Sequence, residues 1–234
     1  MTASSHPPVI SPLSSTDSSA QITLNGYTIL AAVNGPLEVQ RRDELPEEAL
    51  LEVSIRPANG SGGVKERHYE TTIHNVLREI ISVKEHPRTA IQVILQILAV
   101  PAQIPDHQSA SNITLLPSLL QAAQLALLQS SIPLSGTLSA NLLAVLHPAS
   151  SEDSSIRVVA HPSAIQITKA ESVHVVASKM PSRSMVLLES EGCFTIGGWK
   201  EVVRIAKDLC ESDQKALKRV LQKEMDKEAR WKLG

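Results

Sequence analysis

The stretch that most constrains this chain runs from Leu115 to Leu134, its longest apolar segment. Pro117, Gln121, Gln124, Gln129 and Pro133 interrupt it. That is too many breaks for a bilayer span, so the spacing predicts a buried helix over Leu115–Ser130. Such a helix needs protein around it, and the flanking sequence supplies strands. Upstream, "RTAIQVILQILAV" alternates and is β-branched, which predicts a strand. Downstream, "LSANLLAVL", "IRVVAH", "AIQITKA", "VHVVAS" and "SMVLLES" read as short strands.

The remaining ordered chain is equally patterned. "QITLNGYTILAAVNG" places Asn25-Gly26 between two extended runs, a β-hairpin signal. "ALLEVSIRP" reads as a further strand, with Val53 and Ile55 on one face, closed by Pro57 and a glycine-rich loop. In "VKERHYETTIHNVLREIISV", Ile73, Val76, Leu77, Ile80 and Ile81 form one helical stripe, leaving Lys65, Glu66 and Arg78 in water. A long helix follows from about Gly198 to Trp231, with Trp199, Val202, Ala206, Leu209, Leu217 and Val220 on one side. Strands and helices mix without strict alternation, which points to an α+β domain of two related strand–helix layers. Residues 1–19 are rich in serine and proline and read as a disordered tail, with one domain over 20–234.

Composition removes several function classes. The net charge is −2, so the chain is not a generally basic nucleic-acid coat, although a local basic patch remains open. Only five residues are aromatic, too few for a base-stacking RNA platform; any RNA contact would be to the backbone. Cys193 and Cys210 form no C-x-x-C pair and fit a reducing compartment. The N-terminus lacks the basic start and apolar core of a signal peptide, so a soluble intracellular protein is expected. The histidines show no metal spacing: His68 and His74 share no helical face, and His161 and His174 are expected on strand surfaces.

Three segments together carry a family resemblance. "AAVNGPLEVQRRDELPEEALLEVSIRPANG", with Gly35, Pro36 and Glu38, "HPRTAIQVILQIL", and "LLQAAQLALLQSSIPLSG", with Ala126, Leu127, Ile132 and Pro133, occur in that order. They resemble the opening sheet, central strand and following helix of RNase PH-type proteins. The similarity extends over roughly residues 18–228, and within the family it is nearest the ring subunits of the eukaryotic RNA exosome. The resemblance implies an RNase PH-like fold (ribosomal protein S5 domain 2-like) with mixed sheets packed by helices.

Active members of that family, as the resemblance implies, shorten RNA from the 3′ end with inorganic phosphate as the attacking group. Bringing anions together requires cations, N–H donors and a carboxylate. The family supplies an arginine ahead of its first long helix, a Gly-Thr/Ser-Arg turn after the central strand, and acids on later strands. Arg67 matches the first. In place of the second, "AVPAQIPDHQSASNITLL" has neither glycine nor arginine, and its one full charge is Asp106, beside His107. In place of the third stands "IRVVAHPSAIQI", without an acid. Asp106 reads as a turn former, and Glu152 and Asp153 as members of a solvated loop. The expectation is therefore a non-catalytic chain with no catalytic residue, metal or cofactor; a phosphate-dependent 3′–5′ exoribonuclease is the alternative.

What the resemblance then implies is a structural subunit for RNA processing and degradation. Its partners would be other RNase PH-like subunits in a six-membered ring, cap proteins with OB-type and KH domains, associated nucleases, and RNA in the central channel. No membrane is involved, and the expected location is nucleus, nucleolus and cytoplasm. Lys65 and Arg67 follow a Gly-Ser-Gly-Gly loop and are the leading candidates for RNA contact, set against simple solvation. Arg41 and Arg42 are further candidates, set against a paired surface balanced by Asp43 and Glu44. Arg88 is expected to make a structural bond where the central strand begins.

Overall fold

The computed structural model describes residues 8–101, 113–146 and 157–232. Two sheets organise it. The first has β1 (Val9–Ile10), β2 (Ser18–Leu24), β3 (Tyr27–Glu38), β4 (Leu50–Arg56) and β5 (Thr89–Ala99), in the order β1-β2-β3-β5-β4. All neighbours are antiparallel except β4 and β5, which run parallel because α1 (Val64–Ile80) connects them. The second contains β6 (Thr137–Leu146), β7 (Arg157–Ala160), β8 (Ser172–Met180) and β9 (Ser184–Gly192), in the order β7-β6-β8-β9.

The β2–β3 hairpin turns on Asn25 and Gly26, with φ of 52° and 83°. Both are left-handed, as the tightest hairpin turns require. In β3 the Gly35-Pro36 step is a bulge rather than a turn: the register to β5 slips between Asn34 and Leu37. Gly35 has φ 151°, and a Cβ there would lie 3.1 Å from the Ala90 carbonyl oxygen. The bulge brings the Gly35 N–H to the Asp17 carboxylate at 2.8 Å.

Helix α2 (Leu116–Leu127) is covered on nearly every side. Leu119, Leu120, Ala122, Ala123, Ala126 and Leu127 are all 0% exposed. One face lies on β2 and β3 and the other on β6. Strand β6 is in turn buried on both of its faces. Leu138, Ala140 and Leu142 join the α2 core, while Leu143 and Val145 pack against Val202 and Ala206 of α4 (Ile196–Lys232). The layers therefore run sheet, α1 with α2, sheet, α4. No helix among the described residues is long and apolar enough to cross a membrane.

The structure corrects three local expectations. The N-terminal segment is ordered well before residue 20: Val9 and Ile10 pair with Gln21 and Ala20, and Ser18 and Ser19 are buried. The Ser19 hydroxyl bridges the Leu13 N–H and carbonyl, so a small polar residue serves the sheet where composition alone suggests a tail. Residues 1–7 lie outside the described residues.

"AIQITKA" is not a strand but the short helix α3 (Ala164–Lys169). Ser163 caps it, and the Gln166 side chain accepts the Ser163 N–H at 2.8 Å. The alternation of Ile165 and Ile167 imitates a strand, yet only Ile167 is buried. His174 is likewise not on a strand surface but is fully buried in β8.

Because α2 packs against strands of both sheets, its packing should govern the whole chain. Leu120→Ala should cost about 3 kcal/mol. Urea unfolding followed by circular dichroism and by tryptophan fluorescence should shift together. A shift in one probe alone would show that the two sheets unfold independently.

Candidate nucleic-acid interface

Helix α1 begins after the glycine-rich loop. Its N-terminus is held by acids: Glu66 accepts the Gly63 N–H at 2.7 Å, and Glu70 accepts the Ile55 N–H of β4 at 2.8 Å. On either side of Glu66 stand Lys65 and Arg67, both exposed and in no ion pair among the described residues. Arg67 is thus inside the first turn of α1 rather than ahead of it; its N–H already bonds the Gly63 carbonyl at 3.3 Å. Cations at a helix N-terminus work against the macrodipole. Placed beside free N–H groups, they suit an anion arriving from solvent.

Arg41 and Arg42 do not join this group. They lie on the loop between β3 and β4, at the end of the sheet where Leu50 pairs with Ala90; Lys65 and Arg67 follow the end where Arg56 pairs with Gln96. Six residues of strand separate the two ends, about 20 Å. Arg42 bonds its neighbour Asp43 at 3.1 Å. On the same loop Glu44 takes Arg88 at 3.3 Å, and Glu48 takes both Arg78 contacts at 2.8 and 3.0 Å. The structural bond expected of Arg88 is there.

One turn into α1, Tyr69 goes down into the core near Tyr27 of β3. The Tyr27 hydroxyl and Thr114 Oγ1 share a hydrogen bond at 3.1 Å. Ile113, Thr114, Leu115 and Leu116 are all buried, and the first turn of α2 holds no acid. Leu115 stands at the N-cap, where a polar side chain is usual, and Pro117 follows in the first turn. The Ser118 hydroxyl donates to the Leu24 carbonyl at 3.2 Å, tying this end to the hairpin. Among the described residues, the N-terminus of α2 is lined by apolar side chains and a tyrosine–threonine bond.

A carboxylate nevertheless reaches this region. Glu191, at the end of β9, lies close enough to Tyr69 to raise its pKa, and its Oε2 is buried without a hydrogen-bond partner. Sequence reasoning missed it, because no local pattern links Glu191 to Tyr69, 122 positions away. Asp106, His107, Glu152 and Asp153 lie outside the described residues. No group of three metal-binding side chains occurs among the described residues.

His174 occupies the neighbouring strand interior. Its Nε2 and Nδ1 meet the hydroxyls of Ser172 at 3.0 Å and Ser190 at 2.8 Å, and Phe194 packs edge-on at 5.0 Å. Burial lowers its pKa, so the ring is held neutral by two groups that can each donate or accept.

With this geometry in place, comparison with known proteins is informative. Residues 10–133, more than half of the chain, match the RNase PH model, "3′ exoribonuclease family, domain 1", and the chain belongs to that family. The exosome complex component RRP46 of Saccharomyces cerevisiae is 25% identical over 211 residues, covering 88% of this chain and 90% of the yeast protein. The exosome complex exonuclease RRP46 homolog of Oryza sativa subsp. japonica is 34% identical over 123 residues, 53% of this chain and 47% of the rice protein. Among solved structures, rice Rrp46 superposes with a TM-score of 0.80 at 24% identity, covering 95% of this chain and 96% of that one. A chain of the Archaeoglobus fulgidus exosome with RNA bound to the active site gives 0.69 at 11% identity, over 91% and 87%. The RNase PH-like fold expected from three short segments is the fold observed.

The buried tyrosines give this region a pH signature. Burial raises both from their ordinary value of 10.0, with Tyr69 pushed up to about 12 by burial first and then by Tyr27, Glu66 and Glu191. A raised folded-state pKa means the stabilisation is full below 10.0 and is lost as pH rises toward about 12. Tyrosinate absorbance should therefore stay low near pH 10.0 and rise only with unfolding. Phenolate appearing at its ordinary pKa while circular dichroism stays native would contradict the packing described.

Proposed function

We propose that the chain is a non-catalytic structural subunit of an RNA exosome ring, supplying interface area and part of the RNA channel for 3′–5′ RNA processing and degradation. The observation that carries this reading is the sealed N-terminus of α2. Phosphorolysis needs a cation and open N–H donors where phosphate enters. Here Ile113, Leu115 and Leu116 fill that place and Tyr27 locks Thr114 behind them. The family relation and the names of the yeast and rice relatives support an exosome assembly; the partners proposed within it are RNase PH-like subunits, cap proteins with OB-type and KH domains and associated nucleases, in nucleus, nucleolus and cytoplasm.

The surface supports association. Strand β9 is a free edge of the second sheet, and Met185 and Leu188 on it are each 39% exposed, with Phe194 at 48% just beyond. An open edge carrying apolar side chains is a pairing surface unless a partner covers it. Val175 does not belong to that edge: it lies on the central strand β8 and is 0% exposed. Val186, though on β9, packs partly against the core.

Within the ring, Lys65 and Arg67 are the residues proposed to touch RNA phosphates in the channel. Arg41 and Arg42, at the far end of the sheet, are proposed for a separate and weaker contact.

The second reading, a phosphate-dependent exoribonuclease, is favoured by one observation, the Glu191 carboxylate in the same region as Arg67. An assay with single-stranded RNA and phosphate separates the two. The isolated chain should release no nucleoside diphosphates; release that disappears in both Arg67→Ala and Glu191→Gln would establish the enzyme reading instead.

Assembly has its own test. Co-expression with RNase PH-like chains should give a ring-sized species on sizing. Leu188→Glu should leave the isolated fold intact and prevent that species from forming. The Lys65→Ala/Arg67→Ala pair should assemble normally while the salt dependence of RNA threading falls by about 0.7 per lost contact. A chain that stays monomeric beside every such partner would sink the ring-subunit reading.

A further inference from the structure

The charge of this chain is strongly divided. Residues 215–232, the last half of α4, hold seven Lys and Arg against three Asp and Glu; the rest holds fifteen against twenty-one. The helix is 37 residues long, about 55 Å. Its anchoring to the body is confined to the first part, where Val202, Ala206 and Cys210 are buried and Leu217 still packs partly on the core.

Lys215, Lys218, Arg219 and Lys223 are all exposed. Helical spacing puts them on one face, opposite the half-buried Leu217 and Val220, along about 12 Å of axis. Upstream on the same helix three cations, Lys200, Arg204 and Lys207, stand among four acids. Arg204 pairs with Glu201 and Asp208, and Glu211 takes Arg183 at 2.7 Å. None of the four downstream cations forms an ion pair with a described residue.

Their spacing is unfavourable in isolation. Lys215 and Arg219, and again Arg219 and Lys223, are like charges four residues apart, each pair costing a few tenths of a kcal/mol. The helix dipole does not account for them. Its favourable effect on cations is limited to the last turn, and Lys223 lies nine residues before Lys232. What offsets such a row is a polyanion with regularly spaced charges.

We infer that this face of α4 is a second RNA site, binding the sugar–phosphate backbone of a single strand without reading bases. The nearest described side chains are aliphatic or polar, so no stacking accompanies it. The site is distinct from Lys65 and Arg67 on α1 and does not depend on ring assembly or on the catalytic state of the chain.

The test uses the full isolated chain and a single-stranded oligouridylate, with affinity measured across a salt series. Lys215→Gln/Lys218→Gln/Arg219→Gln/Lys223→Gln should keep its circular dichroism and melting curve, since all four side chains are exposed. Its affinity at low salt should fall at least tenfold, and the log–log salt slope should flatten by about 0.7 for each lost contact. Lys200→Gln/Lys207→Gln, two exposed cations on the anchored part of the same helix, should leave most of the isolated chain's binding in place. Equal loss in both α4 variants, or unchanged affinity and slope in the four-site variant, would overturn the inference. So would α4-dependent capture of a polyglutamate peptide or of phosphatidylserine vesicles with no response to RNA.

Discussion

Helix α2 is packed between two sheets, and the rest of the molecule is arranged around that fact. A helix buried on one face needs one partner; α2 presents apolar side chains all round and needs two. The first sheet covers one side of it and β6 the other, and β6 then needs α4 over its own far face. The sequence of layers thus follows from one hydrophobic segment. The arrangement tolerates imperfection: the Gln124 amide is buried in α2 with neither atom bonded, as is Oδ1 of Asn141 in β6. Each such group costs on the order of 1–3 kcal/mol, so the surrounding packing must more than offset it.

The same demand reaches the N-terminus of α2. Apolar side chains there secure the helix between the sheets, and Tyr27 and Tyr69 belong to the same core, with their hydroxyls held protonated by burial. What is left exposed is charge at helix ends and apolar side chains along β9, surfaces suited to association and polyanion contact.

Much of this was legible in sequence. Asn25-Gly26 specified the hairpin, the 3.6-residue stripe from Ile73 to Ile81 specified α1, and the glutamine- and proline-broken apolar run specified a buried α2. The missing turn arginine was equally plain. Other features were hidden because they depend on partners far along the chain. His174 is buried because Ser172 and Ser190 on two strands satisfy it, which no spacing within β8 reveals. Glu191 meets Tyr69 only after β9 has docked. The separation of Arg41 and Arg42 from Lys65 and Arg67 follows from the β4–β5 register. Val9 and Ile10 were masked by surrounding serines and prolines, and α3 by two isoleucines at strand spacing.

The double coverage of α2 also sets a timetable for synthesis. When the ribosome has released Leu127, the first sheet can cover one side of the helix. The opposite side waits for β6 and β8, the latter ending at Met180, 53 positions later. At ordinary elongation rates that interval is about 3 to 11 s. For that time a bare aliphatic surface stands on a half-made protein, long enough for nascent chains on neighbouring ribosomes to meet. Cellular yield should therefore depend on chaperone capacity and translation speed over residues 128–180 as well as on the stability of the finished fold.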